Sequence, residues 1–335
     1  MSKEIRLRGE FHWKLKDYFL TELLLKSHKI KRVENDPDLT IGVVEPVPLT
    51  EQFMKSPKSI LVAGENLFYR ANLFKTLEYL TKKTKIRFDI LNKVLPRKML
   101  DMKLGLIRKQ YSKYVLDLAK KSQSGKFAIV CNDIKGRNIL NLPFFLQVKQ
   151  ILNRIKELPE PKKIKASSKK KFCCIIISNE SAFDRINFFK ELSKYKKVDC
   201  FGRTSLTNSD NNLLPKCWSD NPKFLSQYKF VISFENSFEN EYITEKLVNT
   251  MLGKSVPIYK GAPNVSEYFS TESFINFDDY GRSYRKMIKK IIELDKDDKK
   301  YEEFLKKPWL LEKNEKKISG KIKELEAFAE SIVNE

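Results

Sequence analysis

The chain has 335 residues, of which 41% are hydrophobic and 12% aromatic, and its formal net charge is +22. This length and apolar content suffice for two domains that each bury a core, and they exclude a disordered or low-complexity protein. No apolar run approaches the roughly 18 residues that span a bilayer, and the charged start, MSKEIRLRGE, is unlike a signal peptide. We therefore expect a soluble, cytoplasmic protein.

The positive charge arises from 65 Lys and Arg residues against 43 Asp and Glu residues. Such an excess is typical of proteins that bind nucleic acid or an anionic membrane. Nucleic-acid modules, however, usually concentrate Arg and aromatic residues on one face. Because the excess here is mostly Lys and is spread along the whole chain, a lysine-biased composition explains it better.

Histidine and cysteine usage narrows the possible chemistry. The only histidines are His12 and His28, and the five cysteines form no CxxC pair. A zinc centre and a His-dependent nucleophile are therefore not expected. Cys173 and Cys174 lie in an apolar run and are predicted to be small buried side chains. Any general acid or base should be a carboxylate, Lys or Tyr.

The first half of the chain alternates strand-like and helical patterns, which favours an α/β domain with a parallel sheet. The predicted strands are 5–7, 40–44, 59–63 and 127–131, and the predicted helices are 15–25 and 143–157. Residues 66–126 differ, since they are helical in pattern and carry 16 basic against 4 acidic residues. We interpret them as a basic helical insertion in an amino-terminal lobe of residues 1–158.

Residues 159–171 are rich in Pro, Ser and Lys and are predicted to form a linker. Beyond the linker the alternation returns. The predicted strands are 172–178, 198–201, 230–234, 256–259 and 273–277, and the predicted helices are 183–195, 222–227, 243–252 and a charged tail from 284 onward. The pattern predicts a second α/β lobe, 172–310, and a final helix, 311–335.

The most informative segment is residues 230–260. An apolar strand ends at Phe234, and a polar loop continues to Tyr242 before a helix begins. Open α/β sheets bind ligands at the carboxyl ends of their strands, and a helix N-terminus attracts phosphate. In the first helical turn, Lys246 would supply positive charge for a leaving diphosphate. Glu245 would bind sugar hydroxyls or balance developing positive charge, although complementing the helix dipole explains it equally well.

This segment carries a family resemblance. The run FENS…EYITEK, followed by VPIYKGAPNVSEYF and SFINFDDY, closely resembles the carboxyl-terminal signature of the α1,3-fucosyltransferases, glycosyltransferase family 10. The resemblance implies an α/β fold of the GT-B type, with two Rossmann-type lobes, a cleft between them and C-terminal helices. It further implies GDP-fucose as donor, inversion at the fucose anomeric carbon, and a glycan acceptor.

The resemblance also assigns residues outside this segment. In SNESAFDRINFF the family's diphosphate-binding Arg falls on Arg185, although a solvated helix residue would fit the same pattern. In SILVAGEN the family's proposed catalytic base falls on Glu65. Tyr242 is expected to contact the donor phosphate or ribose, with packing at the helix start as the alternative. Asn240 is expected to help bind the nucleotide.

No cofactor or metal is expected. Arg185, Lys246 and the helix end can neutralise a diphosphate without a metal, so a divalent ion would at most stimulate the reaction. The two DxD sequences, Asp36 to Asp38 and Asp295 to Asp297, are interpreted as solvated surface acids.

Several alternatives stay open at this stage. The insertion at 66–126 departs from the family pattern and leaves the acceptor undetermined among N-acetyllactosamine chains, a lipopolysaccharide glycan and a core N-acetylglucosamine. O3 of N-acetylglucosamine is the expected acceptor position, and the choice between 1,3 and 1,4 linkage stays open. Another nucleotide-sugar donor and a nucleic-acid-binding role are the competing functions, and the second is disfavoured by the acidic loop with Glu235, Glu239 and Glu241. The basic helices are also predicted to give peripheral contact with an anionic membrane.

Overall fold

The architecture is that of a computed structural model, which describes residues 4–10, 29–32, 39–43, 59–62, 127–131, 139–147, 149–156, 158, 164–177, 183–215, 221–236 and 238–334. The chain divides into two compact units, 1–147 with 323–335, and 148–322. This division differs from the predicted boundaries at 158 and 172. The predicted helix 15–25, the insertion 66–126 and Glu65 lie outside the described residues.

The first unit contains a parallel six-stranded sheet in the order β2-β1-β3-β4-β5-β6. Its elements are β1 (Glu4–Glu10), β2 (Lys29–Arg32), β3 (Leu39–Val43), β4 (Ser59–Val62), β5 (Phe127–Cys131), β6 (Ile139–Asn141) and helix α1 (Phe144–Gln147). Sequence patterns missed β2, since its sequence KIKR is charged, as edge strands often are. They also missed the three-residue β6.

The second unit contains a parallel five-stranded sheet in the order β11-β10-β9-β7-β8. Its strands are β7 (Lys171–Ile177), β8 (Val198–Gly202), β9 (Tyr228–Ile232), β10 (Val256–Tyr259) and β11 (Ile275–Asn276). Its helices are α2 (Lys149–Lys156), α3 (Phe183–Ser193), α4 (Asn221–Leu225), α5 (Glu245–Leu252), α6 (Tyr284–Lys296), α7 (Asp298–Leu305) and α8 (Glu312–Asn334), which ends in the first unit.

Strand β7 shows why this sheet is buried on both faces. Its side chains alternate, so that Cys173 and Ile175 join one apolar cluster while Cys174 joins another on the opposite face. Both cysteines are reduced and buried, as predicted, and burial raises the pKa of each thiol well above its ordinary value. Among the described helices, none is long and apolar enough to span a bilayer.

The end of the predicted linker is ordered around a buried lysine. A single 3₁₀ turn at Ala166–Ser168 precedes Lys169, which is only 8% exposed. The Lys169 ammonium donates hydrogen bonds to the Ser226 carbonyl at 2.8 Å and the Gly253 carbonyl at 3.1 Å, just beyond the carboxyl ends of α4 and α5. These helix ends are a favourable place for a cation because their carbonyl groups lack helical partners.

Lys169 should therefore make stability depend on pH. Burial, with help from the nearby Lys254 charge, lowers the pKa of Lys169 from 10.5 to about 8. Between these values the unfolded chain binds more protons at this side chain, so its contribution to the free energy of unfolding rises with pH, by up to about 3 kcal/mol. Urea unfolding of the wild type and of Lys169→Met at about pH 7 and about pH 10 should show the wild type gaining stability relative to the variant. A difference that does not change with pH would contradict this assignment.

Candidate functional site

The second sheet places a site at the carboxyl ends of β7 and β9. These strands are neighbours, and the chain order runs outward from them in opposite directions, to β8 on one side and to β10 and β11 on the other. Such a switch point opens a crevice outside the strand ends, because the two connections leave toward opposite sides. Arg185 reaches this point from α3, and Glu235 and Asn236 lie three and four residues beyond the end of β9.

Arg185 joins the two sides of the switch point. It lies in the first turn of α3 and is 4% exposed, so the solvated alternative is wrong. Its Nη1 donates to Asn236 Oδ1 at 2.8 Å, and its Nη2 donates to the Ile176 carbonyl of β7 at 2.9 Å. These two hydrogen bonds fix the orientation of the guanidinium at the carboxyl ends of β7 and β9. Sequence reasoning missed Asn236, although it immediately follows Glu235 in the FENS motif.

The start of α5 is organised by Glu235, whose side chain is fully buried. One carboxylate oxygen accepts from the Thr244 N–H at 2.7 Å, and the other accepts from the Thr244 hydroxyl at 2.8 Å. The second oxygen also accepts from the Lys246 ammonium at 3.0 Å. Thr244 is the N-cap of α5, so the helix begins at Glu245, two residues later than predicted.

Burial and charge pairing act in opposite directions on the pKa values of Glu235 and Lys246. Burial raises the pKa of the Glu235 carboxyl, while the Lys246 ammonium and the Thr244 donors favour its ionised form. Burial would lower the pKa of Lys246, but Glu235 and Glu245 outweigh it and raise that pKa above its ordinary value. Lys246 is therefore a cation at neutral pH. Its side chain keeps 20% of its surface exposed.

The remaining predicted residues occupy different environments. Glu245 is the first residue of α5, with its side chain 33% exposed and its carboxylate 3.6 Å from the Lys246 ammonium. Tyr242 is buried, at 2% exposure, which fits packing at the helix start. Asn240 is exposed in the loop before α5. Of the residues predicted for the site, Arg185 lies at the start of α3, and Glu245 and Lys246 lie at the start of α5.

Asn264 anchors the loop between β9 and α5 through hydrogen bonds to Glu241. Glu241 has φ +64°, a left-handed conformation that is unusual for a residue with a side chain. Its N–H donates to Asn264 Oδ1 at 3.0 Å, and its carboxylate accepts from Asn264 Nδ2 at 3.0 Å. These two hydrogen bonds fix the loop against the segment that follows β10. Tyr242 and the α5 N-cap are positioned as a result.

No metal centre is visible in the part of the chain that the structure describes, where no group of three or more His, Cys, Asp or Glu side chains could hold an ion. Asp295, from one DxD sequence, pairs instead with Lys196 at 3.0 Å and accepts from the Tyr195 hydroxyl at 2.9 Å. The metal requirement of the reaction stays a prediction.

Comparison with known proteins places part of this chain in a sequence family. Residues 166–326 match the sequence model of glycosyltransferase family 10 (fucosyltransferase), C-terminal domain. The resemblance to family 10 is confirmed. The matched family 10 domain contains every side chain placed at the sheet edge above.

Two relatives are similar to part of this chain. The human 4-galactosyl-N-acetylglucosaminide 3-α-L-fucosyltransferase 9 is 36% identical over 133 residues, 38% of this chain and 34% of that protein. The α-(1,3)-fucosyltransferase FucT of Helicobacter pylori is 34% identical over 112 residues, 33% of this chain and 22% of that protein. The matched part is thus about a third or less of the relatives' length.

Solved structures show the same fold. A crystal structure of an α1,3-fucosyltransferase with GDP-fucose superimposes with a TM-score of 0.61 over 97% of this chain and 91% of that one, at 18% identity. A structure of an α1,3-fucosyltransferase with GDP gives a TM-score of 0.60. The predicted GT-B-like α/β fold with C-terminal helices is confirmed.

A glycine beside Glu235 offers a test of this geometry. A Cβ at Gly261 would overlap the Tyr259 hydroxyl and lie 2.7 Å from Glu235 Cγ. Gly261→Ala should therefore displace Glu235 and lower the free energy of unfolding by about 1–3 kcal/mol. Gly320→Ala is the matched control, since a Cβ there meets nothing within 4 Å, and it should be neutral or stabilising. Equal stability of the two variants in urea would show that the contact is not constraining.

Proposed function

We propose that this chain is an α1,3-fucosyltransferase that moves L-fucose from GDP-fucose to a glycan hydroxyl. One observation carries the proposal: two cations, Arg185 and Lys246, and the N-terminus of α5 lie beyond the carboxyl ends of β7 and β9. All of them belong to the segment that matches family 10. The names of the relatives support α1,3-fucosyl transfer, and a GDP-fucose complex of a protein with the same fold supports the donor.

The donor diphosphate would be bound by charge. Arg185 presents a planar guanidinium held by Asn236, and Lys246 presents an ammonium held by Glu235. The start of α5 adds the positive end of a helix dipole. These groups stabilise the negative charge that develops on GDP as it leaves, so the leaving group needs no proton.

The transfer would proceed by a single displacement with inversion. The acceptor oxygen attacks the anomeric carbon of fucose, the bond to the β-phosphate breaks, and its electron pair departs with GDP. The hydroxyl proton passes to Glu65, whose role as base rests on the family resemblance. Glu245, beside Lys246, would bind fucose hydroxyls or balance positive charge developing on the sugar.

The acceptor would be a glycan that contains N-acetylglucosamine, modified at O3. The name of the human relative, a 4-galactosyl-N-acetylglucosaminide 3-α-L-fucosyltransferase, supports this choice. Peripheral contact with an anionic membrane and a cytoplasmic location stay predictions from composition.

Nucleotide binding tests the donor site. Arg185→Ala and Lys246→Ala should each weaken GDP binding about tenfold to a hundredfold, because each removes a charged donor worth about 1.5–3 kcal/mol. Calorimetry gives the affinities, and Lys194→Ala, on an exposed side chain, is the control. Unchanged GDP affinity in both variants would contradict the placement of the site. Tighter binding of UDP than of GDP by the wild type would favour another nucleotide-sugar donor.

The general base is tested separately. Glu65→Gln should lower fucose transfer to an N-acetyllactosamine acceptor by about a hundredfold or more while leaving GDP affinity unchanged, since a base acts only on the acceptor proton. Release of fucosylated product from labelled GDP-fucose measures the rate. Transfer at the wild-type rate would remove Glu65 from this role.

A further inference from the structure

Lys260 is a nearly buried cation at the carboxyl end of β10, next to the proposed donor site. Its side chain is 13% exposed, and its ammonium lies 3.1 Å from Asp184 Oδ2 and donates to the Tyr284 hydroxyl at 3.0 Å. The same ammonium also contacts three aromatic rings. It lies 4.3 Å from the ring centroid of Phe277, 4.5 Å from that of Phe238 and 5.1 Å from that of Tyr284. An ammonium held by a carboxylate and by ring faces is strongly fixed in place.

These contacts link α3, which carries Arg185, to the β9–α5 loop, which carries its partner Asn236. Asp184 is in the first turn of α3, immediately before Arg185. Phe238 is in the loop between β9 and α5, two residues after Asn236. The Lys260 carbonyl also accepts from the Glu235 N–H at 2.9 Å. The Lys260 side chain therefore contacts both the first turn of α3, which contains Arg185, and the loop that follows Asn236.

Phe238 is unusual for its exposure. It is 38% exposed and is one of three large hydrophobic side chains in the described part of the chain that remain exposed. Its ring nevertheless has a specific neighbour, the Lys260 ammonium, which lies 4.5 Å from the ring centroid. The cation–π contact thus attaches the loop at Phe238 to the end of β10. The Glu241–Asn264 hydrogen bonds attach the same loop, three residues later, to the segment that follows β10.

We propose that Lys260 is a positioning residue for the nucleotide-sugar donor. It holds α3 through Asp184 and the β9–α5 loop through Phe238, and so keeps Arg185 and Asn236 at the distance that their hydrogen bond requires. Lys260 itself takes no part in bond making or breaking. This inference rests on the proposed function, since it concerns the affinity of the same donor site.

The test compares Lys260 with a matched lysine on the same sheet. Lys229 at the start of β9 is also 13% exposed, lies 2.7 Å from Asp298 and stands 5.3 Å from the Tyr301 ring centroid. It differs in lying at the amino-terminal end of its strand. Lys260→Met and Lys229→Met should both lower the melting temperature. Only Lys260→Met should weaken GDP binding and raise KM for GDP-fucose, by about fivefold to thirtyfold, with kcat changed less than about twofold.

Conservative variants separate positioning from general stability. Lys260→Arg keeps the charge and the cation–π contact and should restore most of the GDP affinity. Phe238→Leu should weaken GDP binding about twofold to fivefold and Phe238→Trp should not, because only the latter preserves an aromatic face. Combined with Lys260→Met, Phe238→Leu should add almost nothing, since both remove the same contact.

Two results would overturn the proposal. One is a Lys260→Met variant with a lowered melting temperature but wild-type GDP affinity and KM, and the other is an equal loss of GDP affinity in Lys229→Met. Absence of GDP binding by the wild-type chain is a distinct result, because it would overturn the proposed function and the positioning role together.

Discussion

The carboxylate of Glu235 is the interaction on which the rest of the site depends. It is fully buried, and it binds the Thr244 N–H, the Thr244 hydroxyl and the Lys246 ammonium within 3.0 Å. Burying a carboxylate is expensive unless it is paired, so these contacts fix one geometry for the start of α5. The next residue, Asn236, contacts Arg185 of α3. Two consecutive residues in the loop after β9 thus connect the sheet to the two helices that bear the site's cations.

Close packing around this edge explains why small residues matter there. Gly261 leaves room for Glu235, and the Tyr259 hydroxyl accepts a hydrogen bond from the Ala262 N–H at 3.1 Å, which shapes the turn after β10. Lys260 is the first residue of this turn and contacts α3 and the β9–α5 loop. The segment after β10 therefore supports the donor edge from one side, although it contributes none of the predicted donor contacts. This arrangement uses a parallel sheet as a rigid base for charged side chains at its carboxyl edge.

Sequence patterns predicted the second sheet well because its strands are apolar on both faces and bounded by polar turns, as in β7 and β10. The helix-start pattern assigned Lys246 to the donor site and the family resemblance assigned Arg185 to it, and the donor role of both stays a prediction. Sequence patterns did not predict the roles of Glu235, Lys169 and Lys260, since a charged residue next to a strand looks solvated until its partners are known. Those partners lie 9 to 86 residues away in sequence and meet only in the folded sheet.

The measurement that tests the central claim most directly is a double-mutant cycle on Glu235 and Lys246. The account predicts that Glu235→Gln and Lys246→Met each lower the free energy of unfolding by about 3–5 kcal/mol, because each strands a buried charge. The double variant, which removes both charges, should lose at least about 1 kcal/mol less than the sum of the two single losses. Additive losses would contradict the claim, since they would show that the carboxylate and the ammonium do not stabilise one another.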